Sequence, residues 1–129
     1  MRDRTFHVKK RMVLICDLDR AGFTQPEMTK RRRVVVLRVF GPTALVVPLS
    51  ATEPRRIRGH HVRIAALPYA SLTVDVWAKC SMMTHVSVDR LNRVRIQGRE
   101  LTEQLTINDF RRVLAGAAFA IGALDKNLL

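Results

Sequence analysis

Residues 31–50 read RRRVVVLRVFGPTALVVPLS. Three arginines run straight into a β-branched apolar series, which predicts a strand over Arg33 to Phe40 with Arg31 and Arg32 at its mouth. Gly41 and Pro42 turn the chain. Ala44 to Leu49 then forms a second strand that hands Ser50 to a loop. Pro48, inside that run, has no amide hydrogen to give to a ladder, so it points to an edge position, a bulge or a strand end.

Upstream, Met12 to Leu18 (MVLICDL) is a short strand rich in β-formers, and Asp19 to Lys30, with Gly22 and Pro26, reads as a loop. Met1 to Arg11 is polar and basic and reads as a flexible arm or a short edge strand. Downstream, Ala51 to Gly59 carries Pro54, Arg55, Arg56 and Arg58 and reads as a mobile basic loop. His61, Arg63 and Ala65 alternate with Val62 and Ile64, the pattern of a solvent-edged strand. Leu72 to Lys79 and Met82 to Val88 are further strands, followed by a basic stretch with Arg90, Arg93 and Arg95.

Only near the C-terminus does the period change. Ile107, Phe110, Leu114, Ala117, Ile121 and Leu124 recur at spacings of three and four and predict one helical stripe. Thr106, three residues before Asp109, supplies an N-cap, and the acid suits the positive end of the helix. Several short strands closed by one amphipathic helix predict a mainly β fold, a compact, strongly curved antiparallel sheet or small barrel with an apolar face that the helix covers.

With 129 residues, 47% of them hydrophobic, the chain fits one folded domain over 1–129 and is too short for two. Lys and Arg number 23 against 11 Asp and Glu, a net charge of +12. That balance favours an anionic partner, whether nucleic acid, an anionic membrane surface or an acidic protein. Cys16 and Cys80 lie in apolar surroundings without CxxC spacing and read as buried thiols in a reducing compartment. Val113 to Leu124 is too short to span a bilayer, and no export signal is evident, so a cytoplasmic protein with no membrane partner is expected. No His/Cys grouping has zinc spacing, and Asp17 with Asp19 does not make a metal pair.

The segments LICDLDRAGFTQPEMTKRRRVVVL and VVPLS resemble the PemK/MazF family of toxin endoribonucleases. That family shows a short strand ending in an acidic pair, a loop with Gly and Glu, Arg-Pro leading into a Val-rich strand, and later a Pro-x-Thr/Ser. Glu27 and Arg32 keep the family's five-residue separation, Ser50 falls where a Thr or Ser is usual, and WAKCSMM (77–83) is similar to a later family segment. Arg33 stands in place of the usual Pro, and Ser81 where some members carry Asp.

The resemblance implies a small SH3-like barrel that cuts single-stranded RNA by attack of the ribose 2′-hydroxyl, without metal or cofactor. The products would be a 2′,3′-cyclic phosphate and a 5′-hydroxyl. It also implies a homodimer and a cognate antitoxin that inhibits it through an acidic segment. Arg32 is placed at the centre of the site, where a guanidinium fork grips phosphoryl oxygens. Ser50 would donate a hydrogen bond, Glu27 would orient Arg32, and Lys79 would add a second cation. Arg31, Arg33, Arg55, Arg56, Arg58 and His60 would bind the RNA, with Phe23, Tyr69 and Trp77 as stacking candidates, although Trp77 sits among apolar neighbours and reads as core.

Each of these residues has a plainer reading. The arginine triplet can be a basic strand edge, Ser50 a turn residue, Glu27 a solvent-facing loop acid and Lys79 an exposed lysine. The chain as a whole can accordingly be a non-catalytic nucleic-acid-binding barrel or a structural, protein-binding module.

Overall fold

In a computed structural model of the protein, residues 6–17 and 31–123 are described. Nine strands, all paired antiparallel, and one helix follow in the order β1 (Met12–Asp17), β2 (Arg31–Phe40), β3 (Thr43–Ser50), β4 (His61–Ile64), β5 (Val76–Lys79), β6 (Thr84–Ser87), β7 (Leu91–Ile96), β8 (Arg99–Leu101), β9 (Glu103–Gln104) and α1 (Ile107–Ala120). The main path through the sheet is β4-β5-β3-β2-β1-β7-β8, with β6 added to β3 and β9 to β1. The expected mainly β architecture with a C-terminal helix is therefore the one observed.

The apolar runs in β1, β2 and β3 arise because these strands are covered on both faces. Val13, Val35, Val47 and Leu49 point into a core shared with Phe110 and Val113 of α1. Their neighbours Leu14, Cys16, Val34, Val36 and Val46 point the other way, into a second core closed by Val86 and Leu91. Phe6 and Val8 pack against this second core. Arg11 donates its amide to the Val36 carbonyl at 2.7 Å and its Nε to the Leu105 carbonyl at 3.0 Å.

Pro48 lies within β3, opposite Val34 of β2. On its other edge β3 pairs with β6 through residues 43–46 and with β5 through 49–50. Pro48 sits in the gap where the partner changes, a place where a missing amide hydrogen breaks no ladder bond. The strand expected over Leu72–Lys79 begins only at Val76, and the one expected from Met82 begins at Thr84, after a 3₁₀ turn over Cys80–Met82. Beyond the basic stretch, Gln97 and Gly98 both take positive φ, 50° and 80°, which joins β7 and β8 as a hairpin.

The helix starts at the expected cap, where Thr106 Oγ1 accepts from the Asp109 amide at 3.2 Å. Its buried face differs from the expected stripe. Phe110, Val113, Gly116 and Ala117 are buried, whereas Ile107, Leu114 and Ile121 are exposed. Leu124 lies outside the described residues. Gly116 explains the rotation, because a Cβ there would come within 2.8 Å of both Cys80 Sγ and Val62 Cγ2. The helix backbone therefore rests directly on β4 and the 3₁₀ turn at Gly116, and Phe110, Val113 and Ala117 complete the face turned to the core.

Candidate nucleic-acid interface

Asp17 and Arg31 face each other across β1 and β2, as do Cys16 and Arg32. The last pair between β2 and β3 is Val34 with Pro48. Continuing that register brings the backbone of Arg32 level with that of Ser50 at the ends of adjacent strands. Arg31, Arg32 and Arg33 line an open cavity of about 150 Å³ with Ile15, Leu49 and Ala51 on the strand side. Its opposite wall is Leu72, Thr73, Val74 and Val76.

That wall is held by a network that sequence reading did not find. Glu103 accepts hydrogen bonds from the Ser71 hydroxyl at 2.5 Å, the Ser71 amide at 2.8 Å and the Ala70 amide at 3.2 Å. The Ser71 carbonyl in turn accepts from Arg33 Nε at 2.7 Å. Arg33, which stands where a Pro was expected, thus ties β2 to the segment before β5. Ser71 and Glu103 carry no motif, and thirty-two residues separate them, so no local signal marks the pair.

Arg31 also lines a larger open groove of about 660 Å³ with Asp17, Asp89, Arg90, Asn92, Arg93, Arg95 and Glu100. Glu100 bridges Arg93 at 3.3 Å and Arg95 at 3.2 Å, and the Arg93 guanidinium lies 4.8 Å from the centre of the Phe6 ring. These two arginines are partly neutralised and positioned, so the groove is mixed in charge rather than purely cationic. Cys16 of β1 is enclosed in the second core, and burial pushes its thiol up to about 11 against the opposing pull of Arg90.

The other expected site residues lie apart from the arginine cavity. Ser50 is buried at 6% exposure, and its Oγ accepts from the Thr52 amide at 3.1 Å; it is outside the cavity lining. Lys79 pairs with His61 at the far end of β5. Arg55, Arg56 and Arg58 are exposed, and the loop that carries them returns to α1, where Gly59 lies against the Phe119 ring. His60 stacks edge-on to His61 with ring centres 4.2 Å apart and lies 6.4 Å from Phe119. Glu27 and Phe23 lie outside the described residues.

Two stacking candidates change role. Tyr69 is buried, and its hydroxyl accepts from the Thr106 amide at 2.9 Å and donates to Asp109 Oδ2 at 2.5 Å. It therefore fastens the start of α1 and is not available to a base. Trp77 is half-buried in β5 between Ser50 and Arg63, so it is not the full core residue its apolar neighbours suggested. Among the described residues no three His, Cys, Asp or Glu side chains gather as a metal site would need, and no helix is long and apolar enough to cross a membrane.

The fold and the site together define a strongly basic, mainly β domain with an arginine-rimmed cavity at one end of its central strands. The family model of PemK-like, MazF-like toxins of type II toxin-antitoxin systems matches residues 9–118, and the chain belongs to that family. A protein of Escherichia coli (strain K12) called YifN, described by its name as uncharacterised, is 34% identical over 116 residues, covering 81% of this chain and 77% of YifN. Among solved structures, the Mycobacterium tuberculosis toxin MazF-mt6 superposes with a TM-score of 0.61 at 19% identity, covering 86% of this chain and 96% of that one. An endoribonuclease from a mycobacterial species, solved in complex with its cognate antitoxin, gives a TM-score of 0.57 at 15% identity, covering 89% and 93%. At these identities the structural likeness speaks for the fold.

Proposed function

We propose that this chain is a toxin endoribonuclease that cuts single-stranded RNA by attack of the ribose 2′-hydroxyl on the adjacent phosphate. The products are a 2′,3′-cyclic phosphate and a 5′-hydroxyl end. The observation that carries the reading is the convergence of Arg31, Arg32 and Arg33 on one open cavity, in a chain of net charge +12 that belongs to this toxin family.

Arg32 supplies charge stabilisation. A planar, permanently charged fork suits two phosphoryl oxygens whose charge grows in the transition state. Its high intrinsic pKa makes it a poor proton carrier, so proton transfer falls to another group. Ser50 is level with Arg32, and because its oxygen already accepts from Thr52, its hydroxyl hydrogen remains to be donated toward phosphate or leaving oxygen. Glu27 orients the arginines and Lys79 adds long-range positive potential. Arg55, Arg56, Arg58 and His60 extend the cationic surface along which a strand can run. The protein acts in the cytoplasm as a homodimer and is restrained by a cognate antitoxin whose acidic segment complements this surface.

Ser50 is buried and does not line the cavity, which supports one rival, a nucleic-acid-binding domain without cleavage. One experiment separates the two. Labelled, unstructured RNA is incubated in EDTA with wild type, Arg32→Ala and Ser50→Ala, and the ends are analysed. Cyclic-phosphate ends from wild type that fall by about a hundredfold in Arg32→Ala support the nuclease. Salt-sensitive binding without cleavage, from folded protein free of inhibitor, establishes the rival.

A further inference from the structure

Phe40, at the end of β2, is 44% exposed although it closes the apolar run that builds the core. A bulge explains where it points. Val36 and Val39 both pack against the second core, three residues apart, and the pairing with β3 shifts between Val36 and Arg38. Regular alternation puts residues three apart on opposite faces, so the extra residue turns Arg38 and Phe40 onto the face of the first core. Leu45, opposite Arg38, packs at the edge of that core, and beyond it Arg38, Phe40 and His85 are all exposed.

Strand pairing then gathers three planar groups on one open sheet face. Arg38, Leu45 and His85 form one row across β2, β3 and β6, and Phe40, Thr43 and Ser87 form the next. The Arg38 guanidinium lies 5.3 Å from the centre of the Phe40 ring, and the His85 ring centre lies 5.2 Å from it at an angle of 46°. These contacts hold the side chains against one another, so little rotamer freedom is lost on binding.

A lone exposed Phe needs no explanation. An exposed Arg, Phe and His side by side on a sheet offer the three kinds of plane on which unpaired bases stack. The two rows contain no carboxylate, and the protein carries a net charge of +12, which suits the phosphates joined to those bases. In a duplex the base faces are already covered, so the ligand is single-stranded. We propose that Arg38, Phe40 and His85 form a second RNA contact, a stacking platform for one base of a single strand. It stands at the opposite end of β2 from Arg32, eight residues away, a separation of about 25 Å. The ligand rests on the RNA-directed reading of the arginine cavity, whereas the platform itself takes no part in cleavage.

The test measures binding. Labelled 2′-O-methyl RNA strands long enough to reach from the arginine cavity to Phe40, either carrying all their bases or abasic throughout, are titrated by fluorescence anisotropy. The methyl group blocks 2′-hydroxyl attack. Phe40→Leu keeps apolar bulk and loses the ring face; it is expected to bind the intact strand about tenfold more weakly than wild type and the abasic strand equally well. Phe40→Trp is expected to keep full affinity, and His85→Ser to show a smaller loss confined to the intact strand. The Phe40→Leu difference is expected to persist in an Arg32→Ala background. Wild-type affinity in Phe40→Leu, an equal loss on the abasic strand, or no binding of either strand by wild type overturns the platform. Ordinary RNA is tested for cleavage in parallel. Absence of cyclic-phosphate ends together with the Phe40→Leu difference removes the nuclease reading and supports the platform.

Discussion

Glu103 holds Ser71 twice, accepting from its hydroxyl at 2.5 Å and from its amide at 2.8 Å. Ser71 is fully buried, so without Glu103 two of its donors face no partner. Orphaned buried donors cost about 1–3 kcal/mol. Glu103→Ala is accordingly expected to lower stability by about 2 kcal/mol in urea denaturation, with a smaller loss in Glu103→Gln, which keeps one acceptor. Wild-type stability in Glu103→Ala would show that the network does not hold the cavity wall.

Gly116 is the point of closest approach between α1 and the sheet. Helix propensity alone favours alanine over glycine by about 1 kcal/mol, yet a methyl group at 116 would sit 2.8 Å from Cys80 Sγ and Val62 Cγ2. Both neighbours are short buried side chains with little room to give, so overpacking dominates, at about 1–3 kcal/mol. Gly116→Ala is expected to lower the thermal midpoint. An increase would mean that the helix shifts freely.

His61 gives a pH-dependent contribution. Its Nδ1 accepts from the Arg58 amide at 2.9 Å, which requires that nitrogen to be unprotonated. Burial lowers its pKa from the usual 6.5, helped by His60, Lys79 and Arg58. A lowered folded-state value means the unfolded chain takes up the proton first as pH falls. The contribution is complete above the unfolded value near 6.5 and is lost as pH falls through the lower folded value. Denaturation midpoints followed downward from neutral pH should decline less in His61→Gln than in wild type, and parallel profiles would refute the assignment.

Cys16 and Cys80 are both buried and free, and burial raises each thiol to about 11. The thiolate is the reactive form, so both should resist alkylation in the native protein near neutral pH and react fully once it is unfolded. Rapid labelling of either one in the native state would contradict its burial. Mass spectrometry after iodoacetamide treatment distinguishes the two positions.

The sequence by itself determined the mainly β class, the paired strands on either side of Gly41–Pro42, the Thr106 cap, the buried thiols and the family. These features are set by local chemistry: β-branched runs, turn residues, a hydroxyl at the right spacing. The arginine triplet was legible for the same reason, because adjacent residues at a strand mouth remain adjacent after folding.

The tertiary structure alone decided the rest. Which helix face is buried depended on Gly116 meeting Cys80 and Val62, a contact between distant segments that a count of apolar residues does not contain. Tyr69 changed from a candidate stacking residue to a helix fastener because its hydroxyl reaches Thr106 and Asp109 across the chain. The Arg33–Ser71–Glu103 network and the cavity it walls join β2, the segment before β5, and β9. Periodicity and spacing report neighbours along the chain, whereas a cavity is made by residues that only the fold brings together.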